Sequence, residues 1–468
     1  MTAAARLERD APPKKLAADA VYRSGDLRLR CKRFALACVF ASTAAAQVGD
    51  YLGPGILTQG AGDIGMRSGQ PVAIRLFADV TAVYDNGIQP LSLTPSGTLA
   101  QVNGLYGVEA NIGAYGVHQW HQAQLGLDYR GTYRDYVNGG FYNGSDQQLI
   151  LGYTYQASKR LYFDAQEVAG TLSRSIGGIP GVTLPIPTTV DSPTSLLFDN
   201  REYFTESTVS MSYLLSARTS VSVGGTGFLV RQQSSALIGV DGYNLIGSIH
   251  HRLSRATTIG AEYKHQHYDF PGAYGQSDIN SYEGIFGTQI GKRWKFGLQA
   301  GIFQVQVQGV QEVALAPSIA ALLGITNISQ TFYKPYTFPT GSARLSRQFK
   351  ESNLTLAYSR GVTPGNGVFL TSRTEAGTVA FTYTGVRRAS LTISGGEYYL
   401  SSLGQDIQAY RQFNGGAAMS VTLYKALHLI SRYDARHQEI DLAGYRRTAY
   451  RAVIGLAFSP GAVPLAIW

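Results

Sequence analysis

Tyr450-Arg-Ala-Val-Ile-Gly-Leu-Ala-Phe458 sets Tyr450, Ala452, Ile454, Leu456 and Phe458 against Arg451, Val453, Gly455 and Ala457. Strand side chains point to alternate faces, so this nonapeptide reads as a strand with one wholly apolar side. The preceding stretch repeats the pattern. Leu427, Leu429, Ser431, Tyr433 and Ala435 alternate with His428, Ile430, Arg432, Asp434 and Arg436. Further back, Val209, Met211, Tyr213 and Leu215 alternate with Thr208, Ser210, Ser212 and Leu214, and Leu354, Leu356 and Tyr358 with Thr355 and Ala357. Several stretches exceed the five or six residues usual in a globular strand and reach the roughly 9–11 that cross a bilayer at a tilt.

The composition agrees with an all-β chain. The 468 residues are 44% apolar and only 15% charged, with 54 Gly, 30 Tyr and 19 Phe. Soluble domains carry about 25% charged residues. The mean hydropathy, -0.06, is too low for a bundle of membrane helices, which needs stretches of roughly 20 apolar residues. The longest uncharged apolar stretch, 34–49, is interrupted by Ser42, Thr43 and Gln47. Abundant Tyr, Phe, Leu, Ile and Val speak against disorder.

That stretch reads as a leader. Lys32-Arg33 precedes the apolar run Phe34 to Phe40, and Ala44-Ala45-Ala46 supplies a small-residue cleavage site before Gln47. Residues 1–46 are therefore expected to be an N-terminal extension and signal peptide. The competing reading is a cytosolic arm. Both cysteines, Cys31 and Cys38, precede the site, so a disulfide framework or thiolate metal centre in the mature chain is excluded. Of the formal charge of +9, +5 lies in residues 1–46 and +4 in 47–468. The high pI is thus no nucleic-acid signal.

Residues 47–71 are Gly-rich and weakly patterned, an irregular segment. Over 72–458 period-2 stretches recur, about 18 of them by pattern. Their centres fall near Phe77, Glu109, Leu127, Ile150, Glu167, Ser210, Gly225, Ile249, Glu262, Ile285, Gly301, Leu345, Leu356, Val379, Ile393, Ala417, Ser431 and Ile454. Short turns (158–160, 216–218, 254–255, 291–293, 350–352, 386–388, 424–425) alternate with longer loops (86–103, 137–145, 177–201, 234–242, 271–277, 309–335, 363–367, 403–406). A strand meander threaded through a membrane sorts its connections in this way. Within 309–335, residues 313–325 read as a short helix. Residues 459–468 form a C-terminal tail in which Pro460 and Pro464 disfavour strand structure.

With these stretches the chain resembles a Gram-negative outer-membrane β-barrel, porin-like in size. The resemblance lies in the pattern of 72–458 and not in a residue signature. It implies an antiparallel up-and-down transmembrane barrel of about 18 strands, with short periplasmic turns and long extracellular loops. It implies an assembly signal in the last strand, on Tyr450, Ala452, Ile454, Leu456 and Phe458, or at the terminal Trp468. It also implies partners: outer-membrane lipid and lipopolysaccharide, the barrel assembly machinery, small hydrophilic solutes, and further copies of the chain in a homo-oligomer. Tyr153, Tyr155, Tyr162, Tyr263, Trp294, Tyr398, Tyr399 and Tyr450 are candidates for the interfacial girdles.

A charge facing lipid at mid-bilayer costs about 2–4 kcal/mol for Lys or Arg, so charges opposite in phase to apolar residues belong in the lumen. These are Arg130, Arg134, Glu262, Lys264, Arg344, Arg432, Asp434, Arg436 and Arg451. They form either a mixed-charge, Arg-biased constriction for anionic or sugar solutes, or ion pairs that brace the wall. His118/His121 and His265/His267 lack a third ligand, so no metal or other cofactor is expected. No nucleophile or phosphate-loop motif has its required context, so an enzyme is not expected. The expected function is passive diffusion of small hydrophilic solutes. The alternative is a non-conducting structural or secretion-linked barrel, for instance a partner of exopolysaccharide export, or a surface-binding scaffold. A soluble propeller would show a blade repeat near 40 residues, and none is seen.

Overall fold

The computed structural model describes residues 73–86, 104–137, 143–172, 201–235, 237–314, 327–365, 367, 370–404, 409–440, 445–459 and 462–464. The leader, the irregular segment 47–71, most of loop 177–201 and Trp468 lie outside them.

The strands follow one another around a ring. They are β1 (Ala73–Asp85), β2 (Leu105–Gln119), β3 (Ala123–Tyr136), β4 (Gly144–Gln156), β5 (Leu161–Leu172) and β6 (Glu202–Leu214). Next come β7 (Thr219–Gln232), β8 (Val240–Arg252), β9 (Thr257–Phe270), β10 (Gly275–Ile290), β11 (Trp294–Ala314) and β12 (Asn327–Gln348). The ring is completed by β13 (Ser352–Thr363), β14 (Ser372–Val386), β15 (Ala389–Ser402), β16 (Tyr410–Tyr424), β17 (Leu427–Ile440) and β18 (Tyr445–Phe458). Each strand pairs antiparallel with its chain neighbours, and β1 also pairs with β18, Ala82 standing opposite Ile454. The sheet therefore closes without an edge, the one way a sheet satisfies its backbone in lipid. Each of the 18 centres read from the sequence falls in its own strand.

The turns at one end share a local device. Ser158 Oγ accepts from the backbone of Arg160 and Leu161 at 3.2 and 3.1 Å. Ser216 and Ser254 do the same for Arg218/Thr219 and Ala256/Thr257. A serine hydroxyl closing onto the amides two and three residues ahead fixes a tight reversal. The connections at the other end are longer, except Pro271 to Tyr274 between β9 and β10 and residues 441–444 between β17 and β18, four residues each.

Two expectations are corrected. The loop expected at 309–335 is largely strand: Val313 pairs with Ile328 and Ala314 with Asn327, so only 315–326 remain between the strands. The helix expected at 313–325 therefore starts too early, and its remainder lies outside the described residues. The outward positions Gln304, Gln306 and Gln308 explain the misreading. Beyond the lipid a strand needs no apolar face, so the alternation fades while the ladder continues. The tail is likewise not strand-free. Ala462–Pro464, a short β19, pairs with Ala73–Arg75. Pro464 stands at the last position of that piece, opposite Ala73.

The outer wall carries Leu125, Leu151, Val209, Met211, Val223, Leu245, Ile249, Ile302, Leu356, Ile393, Ile454 and Leu456, all exposed. Val209, for example, is 59% exposed. Such a belt is costly in water and satisfied by acyl chains. Tyr153, Tyr155, Tyr213, Trp120 and Tyr424 flank it at the turn end, and Tyr106, Tyr203, Tyr243 and Tyr333 at the loop end. Tyr162 and Tyr398, expected in a girdle, point inward. Phe163 and Tyr399 occupy the outward positions beside them, and adjacent residues of a strand cannot share a face.

Candidate functional site

The site is the inner wall. On the arc β17–β18–β1–β2–β3–β4 the inward positions are charged in both signs. Arg451 Nη2 reaches Glu109 Oε1 at 2.6 Å and Oε2 at 2.5 Å, spanning β1, which lies between their strands. Tyr136 donates its hydroxyl to the same carboxylate at 3.0 Å. Arg134 pairs with Asp146 on the neighbouring strand. Arg130 donates to Asp128 through Nε at 3.0 Å and Nη2 at 2.8 Å. Arg432 is held by Asp434 at 2.7 Å, and Arg436 stands 3.9 Å from Asp85. Asn111 donates to Asp79 at 2.7 Å and accepts from Thr132 at 2.5 Å. Arg130 and Arg134 are only 5% and 7% exposed.

Glu262, Lys264 and Arg344 lie on a different arc. Glu262 and Lys264 share the inward face of β9, two residues apart. Glu262 accepts from Gln299 at 3.1 Å. Glu283 on β10 accepts from Ser281 at 2.8 Å and Thr340 at 2.9 Å. Lys264 sits in the field of both carboxylates. Arg344, inward on β12, is exposed. The structure thus gathers Arg130, Arg134, Arg432, Asp434, Arg436 and Arg451 on one arc and leaves Glu262, Lys264 and Arg344 apart from them.

The sequence reading missed the acids that answer the arginines, Asp85, Glu109, Asp128 and Asp146, and the inward Asp79 held by Asn111. Their signal was present. Each occupies the inward phase of its strand, and Asp128 stands two residues from Arg130.

It also missed the loop-end filling. Inward residues Val168, Phe204, Val230, Val240, Tyr268, Phe270, Ile279, Phe303, Val305 and Val307 form one buried apolar cluster spanning β5 to β11, with Ile238, Ala273, Leu370 and Leu403 from the loops packed on it. The β7–β8 and β13–β14 loops meet there. Ile238 N donates to Gly367 O at 3.0 Å, and Ser277 Oγ lies 2.5 Å from Thr371 Oγ1. Gly367 has φ +88°, and a Cβ there would stand 3.2 Å from Ile238 O. Only glycine allows both that backbone and that approach. Among the described residues these two loops fold inward.

The assembly candidates Tyr450, Ala452, Ile454, Leu456 and Phe458 line the outer face of β18, between β17 and β1. His265 and His267 are outward near the loop end, against Asn280 at 3.0 Å and Asp278 at 2.8 Å. His118 lies edge-on to Trp120, 4.3 Å between ring centres. Among the described residues no three potential metal ligands come together.

No family model matches the chain, and no curated protein matches it. Among solved structures it is similar to a BenF-like porin from Pseudomonas fluorescens Pf-5, at 9% identity, covering 84% of this chain and 99% of that one, TM-score 0.42. It is similar to OccK2 (OpdF) of Pseudomonas aeruginosa, solved with glucuronate, at 12% identity, covering 83% and 98%, TM-score 0.40. It is also similar to the ferric-catecholate import receptor Fiu of E. coli K12, at 10% identity, covering 82% and 81%, TM-score 0.38. These are likenesses of barrel shape, and the assignment rests on this chain's own strands. With its sheet closed on itself, its strands long enough to cross a bilayer and an apolar belt outside a polar lumen, the chain is an 18-stranded transmembrane β-barrel.

Proposed function

We propose that the chain is an outer-membrane channel for passive diffusion of small hydrophilic solutes. The observation that carries this is the contrast between the two faces of one closed sheet, apolar outside and, below the apolar cluster of the loop end, charged or hydroxylated inside. Barrels of 16–18 strands enclose more space than their side chains fill, which leaves an aqueous path. The lumen is of mixed charge. Arg130, Arg134, Arg432, Arg436 and Arg451 act in it as braces held by carboxylates, and Glu262, Lys264 and Arg344 line the arc facing the solute. Extracellular loops, periplasmic turns, lipopolysaccharide around the rim and delivery by the barrel assembly machinery complete the reading.

Swelling of proteoliposomes in isotonic solutions of neutral sugars tests it. Swelling that slows steeply as the sugar grows supports a sized aqueous pore. Swelling no faster than in protein-free liposomes, with the barrel folded, contradicts it.

One observation favours a second reading, a non-conducting structural or secretion-linked barrel. The inward positions at the loop end are buried beneath the clasped loops, Ile279 and Val305 showing no exposure at all.

A further inference from the structure

The sequence alone suggests a lumen biased by arginine. The ion pairs change that balance. Arg130, Arg134, Arg432, Arg436 and Arg451 on the β17–β4 arc each have a carboxylate at hand, so their charge is cancelled over a distance of a few ångströms. A paired charge presents a dipole to a passing ion, and its field falls off far faster than that of a lone charge.

The acids of the facing arc are not cancelled in this way. Asp164 on β5 is bonded to Thr154 at 2.8 Å, and Glu206 lies inward on β6. Glu262 and Glu283 follow on β9 and β10, held by Gln299, Ser281 and Thr340. Among the described residues none of these four has an arginine or lysine within ion-pair distance. Hydroxyls and an amide hold them, and such donors orient a carboxylate without neutralising it. Against the four stand Lys264, shared between Glu262 and Glu283, and the exposed Arg344 nearer the turn end. Arg252, bonded to Ala217 O, and Lys295 lie at the turns, and Lys334 lies at the loop end over the Phe332 ring. The middle of this arc therefore keeps a net negative charge.

Resting on the channel reading, we infer that the lumen selects for cations, so that solutes bearing an amine or another cationic group pass in preference to carboxylates of the same size. A low-dielectric wall lined by one sign of charge concentrates the counter-ion and repels the co-ion.

The test is the zero-current reversal potential of the protein in a planar bilayer across a KCl gradient. A potassium-over-chloride permeability ratio of roughly threefold or more is expected, shrinking at high salt as the wall charges are screened. Glu206→Gln, Glu262→Gln and Glu283→Gln together are expected to bring the ratio close to one. Chloride preference in the unaltered protein overturns the inference, as does a cation preference that survives all three substitutions. The unaltered protein decides the sign even if the triple variant fails to fold. A folded barrel that passes no current removes the channel reading itself, whereas a current without cation preference removes this inference alone.

Discussion

Arg451 on β18 and Glu109 on β2 are joined at 2.5 and 2.6 Å across the inner face of β1, so one ion pair clasps the seam where the chain's first and last long strands meet. Glu109 is almost fully buried, and Tyr136 holds it from the other side. Closing the barrel thus depends on backbone pairing between β18 and β1 and on a side-chain bridge over it.

Removing one partner leaves the other charged in a poorly hydrated site. Arg451→Met is expected to destabilise the barrel by about 3 kcal/mol, and adding Glu109→Gln to recover much of that loss. Urea unfolding in detergent, followed by the heat-modifiable gel shift, measures both. A double variant no more stable than Arg451→Met would show that the pair is not coupled.

The facing of the wall can be tested on neighbouring residues of one strand. Val209→Arg puts a cation into lipid and is expected to cost about 2–4 kcal/mol. Ser210→Arg, one residue on, points inward beside Asp164 and should fold normally. Equal yields of folded barrel from the two variants would refute the assigned phase of β6.

The clasp of the β7–β8 and β13–β14 loops predicts an effect on current. Gly367→Val cannot keep φ +88° and the approach to Ile238 together, so the clasp should loosen and the single-channel conductance rise. Unchanged conductance would mean that these loops do not bound the path.

For assembly, the outer face of β18 is the proposed signal, with β19 a short addition to the seam. Truncation after Phe458 is expected to leave insertion largely intact, whereas Ile454→Asp with Phe458→Asp should abolish it. Loss of the folded barrel on truncation alone would move the signal to the tail and Trp468.

Much of this was legible in the sequence because a barrel in lipid must alternate. Val209 and Ser210, or Ile454 and Val453, announce their faces wherever acyl chains demand an apolar side. Where that demand ends the text becomes obscure. Gln304, Gln306 and Gln308 continue β11 with no apolar signal, and Tyr398 beside Tyr399 does not say which of the two turns inward. The arginines of the lumen were visible as residues but not as pairs. Glu109 and Arg451 meet only because the barrel closes, and Ile238 meets Gly367 only because two loops fold into it. Contacts made by closure have no local period to read.

Every role proposed for the lumen requires that it conduct. The most direct measurement is the single-channel current of the purified, folded protein in a planar bilayer. Steady unitary steps in the nanosiemens range that persist at low voltage are expected. A barrel that shifts on heating as a folded protein should, yet leaves the bilayer silent at every voltage, would contradict a conducting lumen.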